Sequence, residues 1–159
     1  MDKDAAKYTL LEKITDFSVA AGLVLFWIVV LRYNHKHVQS VPTHFNIQGE
    51  ADAFGSAGHL YLLAAINTLL IAGLYLIKWK DVPLNFGHGG ITENKKTLLK
   101  PVMKQTLSLF AASLLVIFGI ILMETLSYNK GERAYSFIFI FFAIKIPIVF
   151  YLAKTQDID

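Results

Sequence analysis

A long apolar run, residues 14–33, reads ITDFSVAAGLVLFWIVVLRY. The hydrocarbon core of a bilayer is about 30 Å thick, and a helix needs roughly 20 residues to cross it. The run has this length and is apolar on every side, and it lacks the strict alternation of a barrel strand. It therefore predicts a transmembrane helix.

Three further runs have the same character, at residues 60–77, 106–123 and 137–153. Backbone polar groups in hydrocarbon must be satisfied within the protein, and a helix does this inside one segment. The sequence thus predicts an all-α integral membrane protein, in which residues 1–159 form one four-helix transmembrane bundle. Alanine and glycine within the runs permit close helix approach, either inside the bundle or in a homo-oligomer or complex with a membrane partner.

The composition supports this class. Of the 159 residues, 55% are hydrophobic and only 17% are charged, which excludes a disordered chain and disfavours an ordinary soluble fold. The chain has no cysteine, so it contains no disulfide, thiol nucleophile or thiolate metal site. Its basic residues lie between the apolar runs rather than in one patch, so we expect no nucleic-acid partner.

The distribution of basic residues predicts the orientation. Ten lysines lie before the first run, in the basic loop 78–105 and after the fourth run. On the other side there are four basic residues: Arg32 at the end of the first run, Lys36 in loop 34–59, and Lys130 and Arg133 after the third run. The richer side faces the cytoplasm. Both termini are therefore predicted to be cytoplasmic and loop 34–59 to be outside, with the inner lysines against anionic lipids of the inner leaflet.

The outside loop is predicted to be a structured element. Residues 41–56 read VPTHFNIQGEADAFGS. Glycine permits positive φ, proline disfavours helix in the residue before it, and Asn and Asp side chains bond nearby backbone. Such residues recur throughout the loop: Pro42, Asn46, Gly49, Asp52 and Gly55. The pattern predicts a compact, turn-rich loop rather than a flexible spacer.

The same loop resembles a known family. The order Pro42, His44, Phe45, Asn46, then Gly49, Asp52 and Gly55 directly before an apolar helix is similar to the bacterial family called domain of unknown function 1648. Residues 83–86 (PLNF) and 91–94 (ITEN) resemble the inner loop of its short four-helix members. The module is shared with SdpI-type toxin-immunity membrane proteins. The resemblance implies a multi-pass protein of the bacterial cytoplasmic membrane, but it implies no activity.

The loop also contains potential metal ligands. The candidates are His44, Glu50, Asp52 and His59. Imidazole and carboxylate together suit Zn²⁺ or a similar divalent cation, but no standard zinc spacing is present. Two interpretations stay open at this point: a metal site, or a structural role in which His44 and Asp52 bond loop backbone. We expect no cofactor.

A second candidate site lies within the fourth run. Lys145 falls near its centre, and intramembrane charges usually face a bundle interior or an aqueous cavity. Asn67 is expected at a similar depth and is the candidate hydrogen-bond acceptor. Pro147 predicts a local break in the helix. Two interpretations stay open. In one, the site is an ion path, a gate or a pocket for an anionic group; in the other, Lys145 extends to the membrane interface or bonds Asn67 to fix helix packing.

The chain lacks the motifs of common enzymes, including a phosphate loop, HExxH and GxSxG, so we expect no enzyme. The leading hypothesis is a non-enzymatic binding, regulatory or protective, immunity-like protein that acts on an outside peptide or small molecule through the loop. One alternative is a small transporter or channel component that uses Lys145. The other is a metal-dependent membrane enzyme.

Overall fold

The computed structural model describes residues 3–34, 40–46, 48–80, 93–128 and 137–155. These residues form four helices and one two-stranded sheet. The elements are α1 (Lys3–Asn34), β1 (Val41–Phe45), β2 (Ala51–Gly55), α2 (His59–Trp79), α3 (Glu93–Ser127) and α4 (Phe137–Thr155).

Three stretches of these helices are long and apolar enough to cross a membrane: Leu10–Tyr33, His59–Trp79 and Thr97–Ser127. They contain the first three predicted runs, and α4 contains the fourth. The prediction of four helices, one over each apolar run, is therefore confirmed. The number of spans and their orientation remain predictions.

Helix α3 is the central element, because it packs against each of the other three helices, while α1 also contacts α2. Small side chains on α3 are buried at these interfaces, among them Ser108 and Ala111. Small buried residues let neighbouring backbones approach. Residues 93–105 of the predicted basic loop form the first part of this helix, with Pro101 inside it.

The apolar core has two layers. One contains Phe26, Val30, Val41, Leu60, Ala64 and Leu122, and the other contains Val19, Ile71 and Ala111. The first layer lies at the end of the bundle that carries β1 and β2, here called the hairpin end. Val41 is part of it and is 1% exposed, so the sheet is joined directly to the helical core.

The predicted turn-rich loop is an antiparallel β-hairpin, which the all-α prediction did not include. Val41 pairs with Gly55 and Phe45 with Ala51, with irregular register between them. Asn46 organises the turn: its side-chain oxygen accepts the backbone N–H groups of Gln48 at 3.0 Å and Glu50 at 2.9 Å. Gly49 has φ 79°, so the predicted positive φ is confirmed there.

Candidate functional site

The hairpin is fixed to the bundle at both its root and its tip. At the root, Val41 and Pro42 are buried. Tyr128, just beyond α3, contacts the rings of Phe45 beside the turn and of Phe54 opposite Pro42, with centroid distances of 5.8 and 6.0 Å. Aromatic contacts of this kind add about 0.5–1.5 kcal/mol each beyond the area they bury. The hairpin is therefore a docked part of the bundle.

His44 and Asp52 join the two strands. His44 Nδ1 lies 2.5 Å from Asp52 Oδ1. The predicted bonding of these two side chains to loop backbone is therefore wrong, because each finds the other across the hairpin. Their side chains are 66% and 46% exposed, and a contact between side chains this exposed contributes at most about 1 kcal/mol. The pair thus orients the strands more than it stabilises them.

Glycine is required at position 55 because neighbouring side chains approach it closely. A positive φ is not the reason here, since the glycine with positive φ among the described residues is Gly49. A Cβ atom at Gly55 would lie 2.7 Å from His59 Cε1 and 2.8 Å from Thr43 Cγ2. The His59 ring is held in place by a 2.9 Å hydrogen bond from Nδ1 to the carbonyl oxygen of Ser56. Since a carbonyl only accepts, Nδ1 carries the proton. Glycine at 55 thus lets the hairpin close against the first turn of α2.

A cleft of about 420 Å³ lies beneath the hairpin. Its wall is formed by β1, α2, α3 and α4, and most of it is apolar. The polar side chains that line it include Thr43, His44, His59, Glu124 and Thr125. The apolar ones include Leu62, Ile66, Ile121 and Ile140. A concave, mainly apolar volume with a few polar groups is typical of a site for a small ligand, for which 300–1,000 Å³ is usual.

The candidate metal ligands do not converge. Within the part of the chain that the structure describes, no three His, Asp or Glu side chains could hold one ion together. Besides the His44–Asp52 pair, Glu50 lies 3.5 Å from the Asn46 amide nitrogen and His59 bonds Ser56. These four residues are therefore not brought together around one position, and the metal-site interpretation gains no support from their geometry.

The predicted contact between Lys145 and Asn67 is absent. Lys145 is exposed, with its ammonium 4.1 Å from the centroid of the Phe141 ring. Asn67 is 0% exposed, and its amide atoms have no hydrogen-bond partner among the described residues. The reason is the position of Lys145 around the axis of α4. Ala143 and Pro147 form the buried side of this helix. Lys145 is two residues from each of them, and side chains two residues apart on a helix point in almost opposite directions. The α4 helix continues across Pro147.

Sequence reasoning missed a polar cluster at the end of the bundle opposite the hairpin. Lys78 is 9% exposed. Its ammonium lies 2.5 Å from Asp16, 2.8 Å from Glu12 and 2.8 Å from the Ser108 hydroxyl. All three protons of the ammonium thus have acceptors, which removes much of the cost of burying the charge.

The same cluster joins three helices. The hydroxyls of Tyr75 and Ser108 donate to Asp16 Oδ1 at 2.8 and 2.7 Å. Glu12 and Asp16 come from α1, Tyr75 and Lys78 from α2, and Ser108 from α3. We call these five residues the lysine cluster. The sequence contained a signal for this cluster, because Glu12 and Asp16 are four residues apart and so lie on one side of α1. Their partner was missed because Lys78 was assigned to the basic loop.

The comparisons concern the hairpin end. A family described as "Domain of unknown function (DUF1648)" matches residues 21–68. No curated protein and no solved structure matches the chain. The matched segment runs from within α1 through the hairpin into α2, and so it contains the whole motif from Pro42 to Gly55. This segment is therefore similar to the DUF1648 family, as the loop motif predicted.

Proposed function

We propose that this chain is a non-enzymatic ligand-binding protein of the bacterial cytoplasmic membrane. It crosses the bilayer four times, with both termini in the cytoplasm and the hairpin outside. It protects the cell against, or senses, a peptide or small molecule that arrives from outside. The observation that carries the proposal is the cleft of about 420 Å³ beneath the hairpin.

The position of the hairpin supports a binding role. Val41, Thr43, His44 and Phe45 of β1 line the cleft, and the same strand is fixed by its buried root. The family motif therefore shapes one wall of the cavity. Because its backbone is already held by the bundle, a ligand would bind with little ordering cost, which favours affinity.

The orientation is supported by charge. The hairpin end of the bundle belongs to the side with four basic residues, and the opposite side has ten. The positive-inside rule therefore supports an outside position for the hairpin. The lysines of 78–105 other than Lys78, which is buried in the lysine cluster, would contact anionic lipids of the inner leaflet, each contributing about 1 kcal/mol.

A genetic experiment tests the proposal. The gene is deleted and the cells are challenged with envelope-active peptides, then complemented with the wild type, Ile66→Trp or Leu69→Trp. Ile66 lines the cleft, whereas Leu69 is 72% exposed on the same helix and is not among the lining residues. We expect the deletion to raise sensitivity, Leu69→Trp to restore protection, and Ile66→Trp to fail. Unchanged sensitivity and unchanged envelope-stress output in the deletion strain would contradict the proposal.

A further inference from the structure

The cleft changes in polarity along the bundle. Its polar groups lie next to the hairpin, including His44 on β1 and His59 in the first turn of α2. Ile66 lies seven residues further along α2, which is about 10 Å deeper at 1.5 Å per residue. On α3, which runs the other way, Ile121 lies about one turn deeper than Thr125. The cavity thus has a polar rim and an apolar floor.

The apolar part is open towards the surroundings of the bundle. Leu62 and Ile66 line the cleft and are nevertheless 57% and 42% exposed. Helix α4 contributes Ile140 to the opposite side but packs chiefly on α3. In a bilayer, an opening between α2 and α4 faces hydrocarbon. A molecule could therefore enter sideways from the leaflet at the hairpin end.

The volume indicates how much hydrocarbon fits. A cavity of about 150 Å³ holds one benzene molecule. On that scale, about 420 Å³ corresponds to roughly 15–20 carbon atoms. This is the size of one lipid chain, and it is too small for two.

The rim offers a hydrogen-bonding position. His59 Nδ1 donates to the Ser56 carbonyl oxygen, so Nε2 is the ring nitrogen that can accept a hydrogen bond from a ligand. A hydroxyl group next to the polar head of a single-chain lipid is a suitable donor. The polar rim and the apolar floor together match an amphiphile whose chain lies along the bilayer normal.

From this arrangement we infer that the cleft binds a single-chain membrane lipid of the lysophospholipid class. Its chain lies against Ile66 and Ile121, and its hydroxyl-bearing head lies at His59. The inference names the ligand class of the proposed function and rests on it.

The test uses the full-length chain in nanodiscs and a lysophospholipid with a photoreactive group at the end of its chain. Labelled peptides are identified by mass spectrometry. We expect labelling near Ile66 and Ile121 that unlabelled lysophospholipid displaces to completion. Ile66→Trp and, as a second variant on another helix, Ile121→Trp should each lower this labelling at least tenfold, while Leu69→Trp should leave it unchanged. Size-exclusion and circular dichroism profiles identify any variant that has not folded.

Three results would overturn the inference: labelling that excess lipid does not displace, labelling that both cleft variants retain, or equal displacement by a two-chain phospholipid. The labelling experiment and the genetic experiment test different claims and can fail independently. Protection that depends on Ile66 without lipid labelling would refute the lipid and leave the proposed function. Displaceable labelling without any phenotype in the deletion strain would refute the protective function and leave the lipid site.

Discussion

The ammonium of Lys78 on α2 lies 2.5 Å from the carboxylate of Asp16 on α1, although 62 residues separate them. Glu12 accepts a hydrogen bond from the same ammonium, so one cation compensates the charge of two carboxylates. Removal of a single partner from a buried ion pair leaves an uncompensated charge, which is more costly than the absence of the whole pair.

Lys78→Met should therefore destabilise the bundle strongly. We expect a loss of about 3 kcal/mol, the lower end of the range for buried pairs, because the Asp16 side chain is 31% exposed. Thermal unfolding in detergent, followed by circular dichroism, measures the loss. Lys80→Met is the matched control, because Lys80 is exposed immediately after α2 and should give a melting temperature close to that of the wild type.

The triple variant Glu12→Gln, Asp16→Asn, Lys78→Met removes every charge of the lysine cluster. We expect it to regain at least half of the stability lost in Lys78→Met, since no buried charge is then unpaired. Equal instability of the single and triple variants would show that packing, rather than charge, holds this end of the bundle.

Gly55→Ala should open the hairpin. The new methyl group would meet the His59 ring and the Thr43 methyl group at under 3 Å, so β2 must move away from α2. We expect faster hydrogen exchange across residues 41–55 and weaker ligand binding. Gly73→Ala is the control, because a Cβ atom there meets no atom within 4 Å. Wild-type exchange in Gly55→Ala would mean that this contact does not require glycine.

Tyr128→Leu should loosen the attachment of the hairpin to the bundle. It removes the ring that contacts both Phe45 and Phe54, and we expect a cost of about 1–3 kcal/mol for the two contacts together. Limited proteolysis of residues 46–56 reports the loosening. Tyr61→Leu changes an exposed tyrosine on α2 and should leave the cleavage rate unaltered. If both variants are cleaved at the same rate, Tyr128 does not anchor the hairpin.

The sequence predicted those features that depend on local composition. The helical runs, the positive φ of Gly49 and the family motif are of this kind, because length, hydropathy and turn chemistry lie within short segments. The strand Val41–Phe45 was not predicted, since it is short and contains a proline. The lysine cluster was missed because its members meet only after three helices pack.

The error at Lys145 has a similar origin. Its depth in the fourth run follows from counting residues, but the direction in which it points depends on which side of α4 packs on α3. Ala143 and Pro147 take that side, and Lys145 is left exposed. No local sequence pattern distinguished the packed side of α4 from the exposed side, because apolar residues occur on every side of this helix.

Lys145→Met should consequently leave protection intact. The ammonium lies over the Phe141 ring and lines no part of the described cleft, so its loss should alter neither ligand labelling nor the melting temperature by much. Complementation of the deletion strain measures protection, and flux in proteoliposomes measures transport. Loss of both protection and flux in Lys145→Met would favour the transporter alternative over the binding protein.

The orientation is tested by single cysteines, since the chain contains none. Ser56 and Lys80 are both exposed and lie at opposite ends of α2. We expect Ser56→Cys to react with a membrane-impermeant maleimide in intact cells, because the side with few basic residues faces outward. Lys80→Cys should react only after permeabilisation. The reverse pattern would place the hairpin in the cytoplasm, and its cleft could not then meet a ligand that arrives from outside.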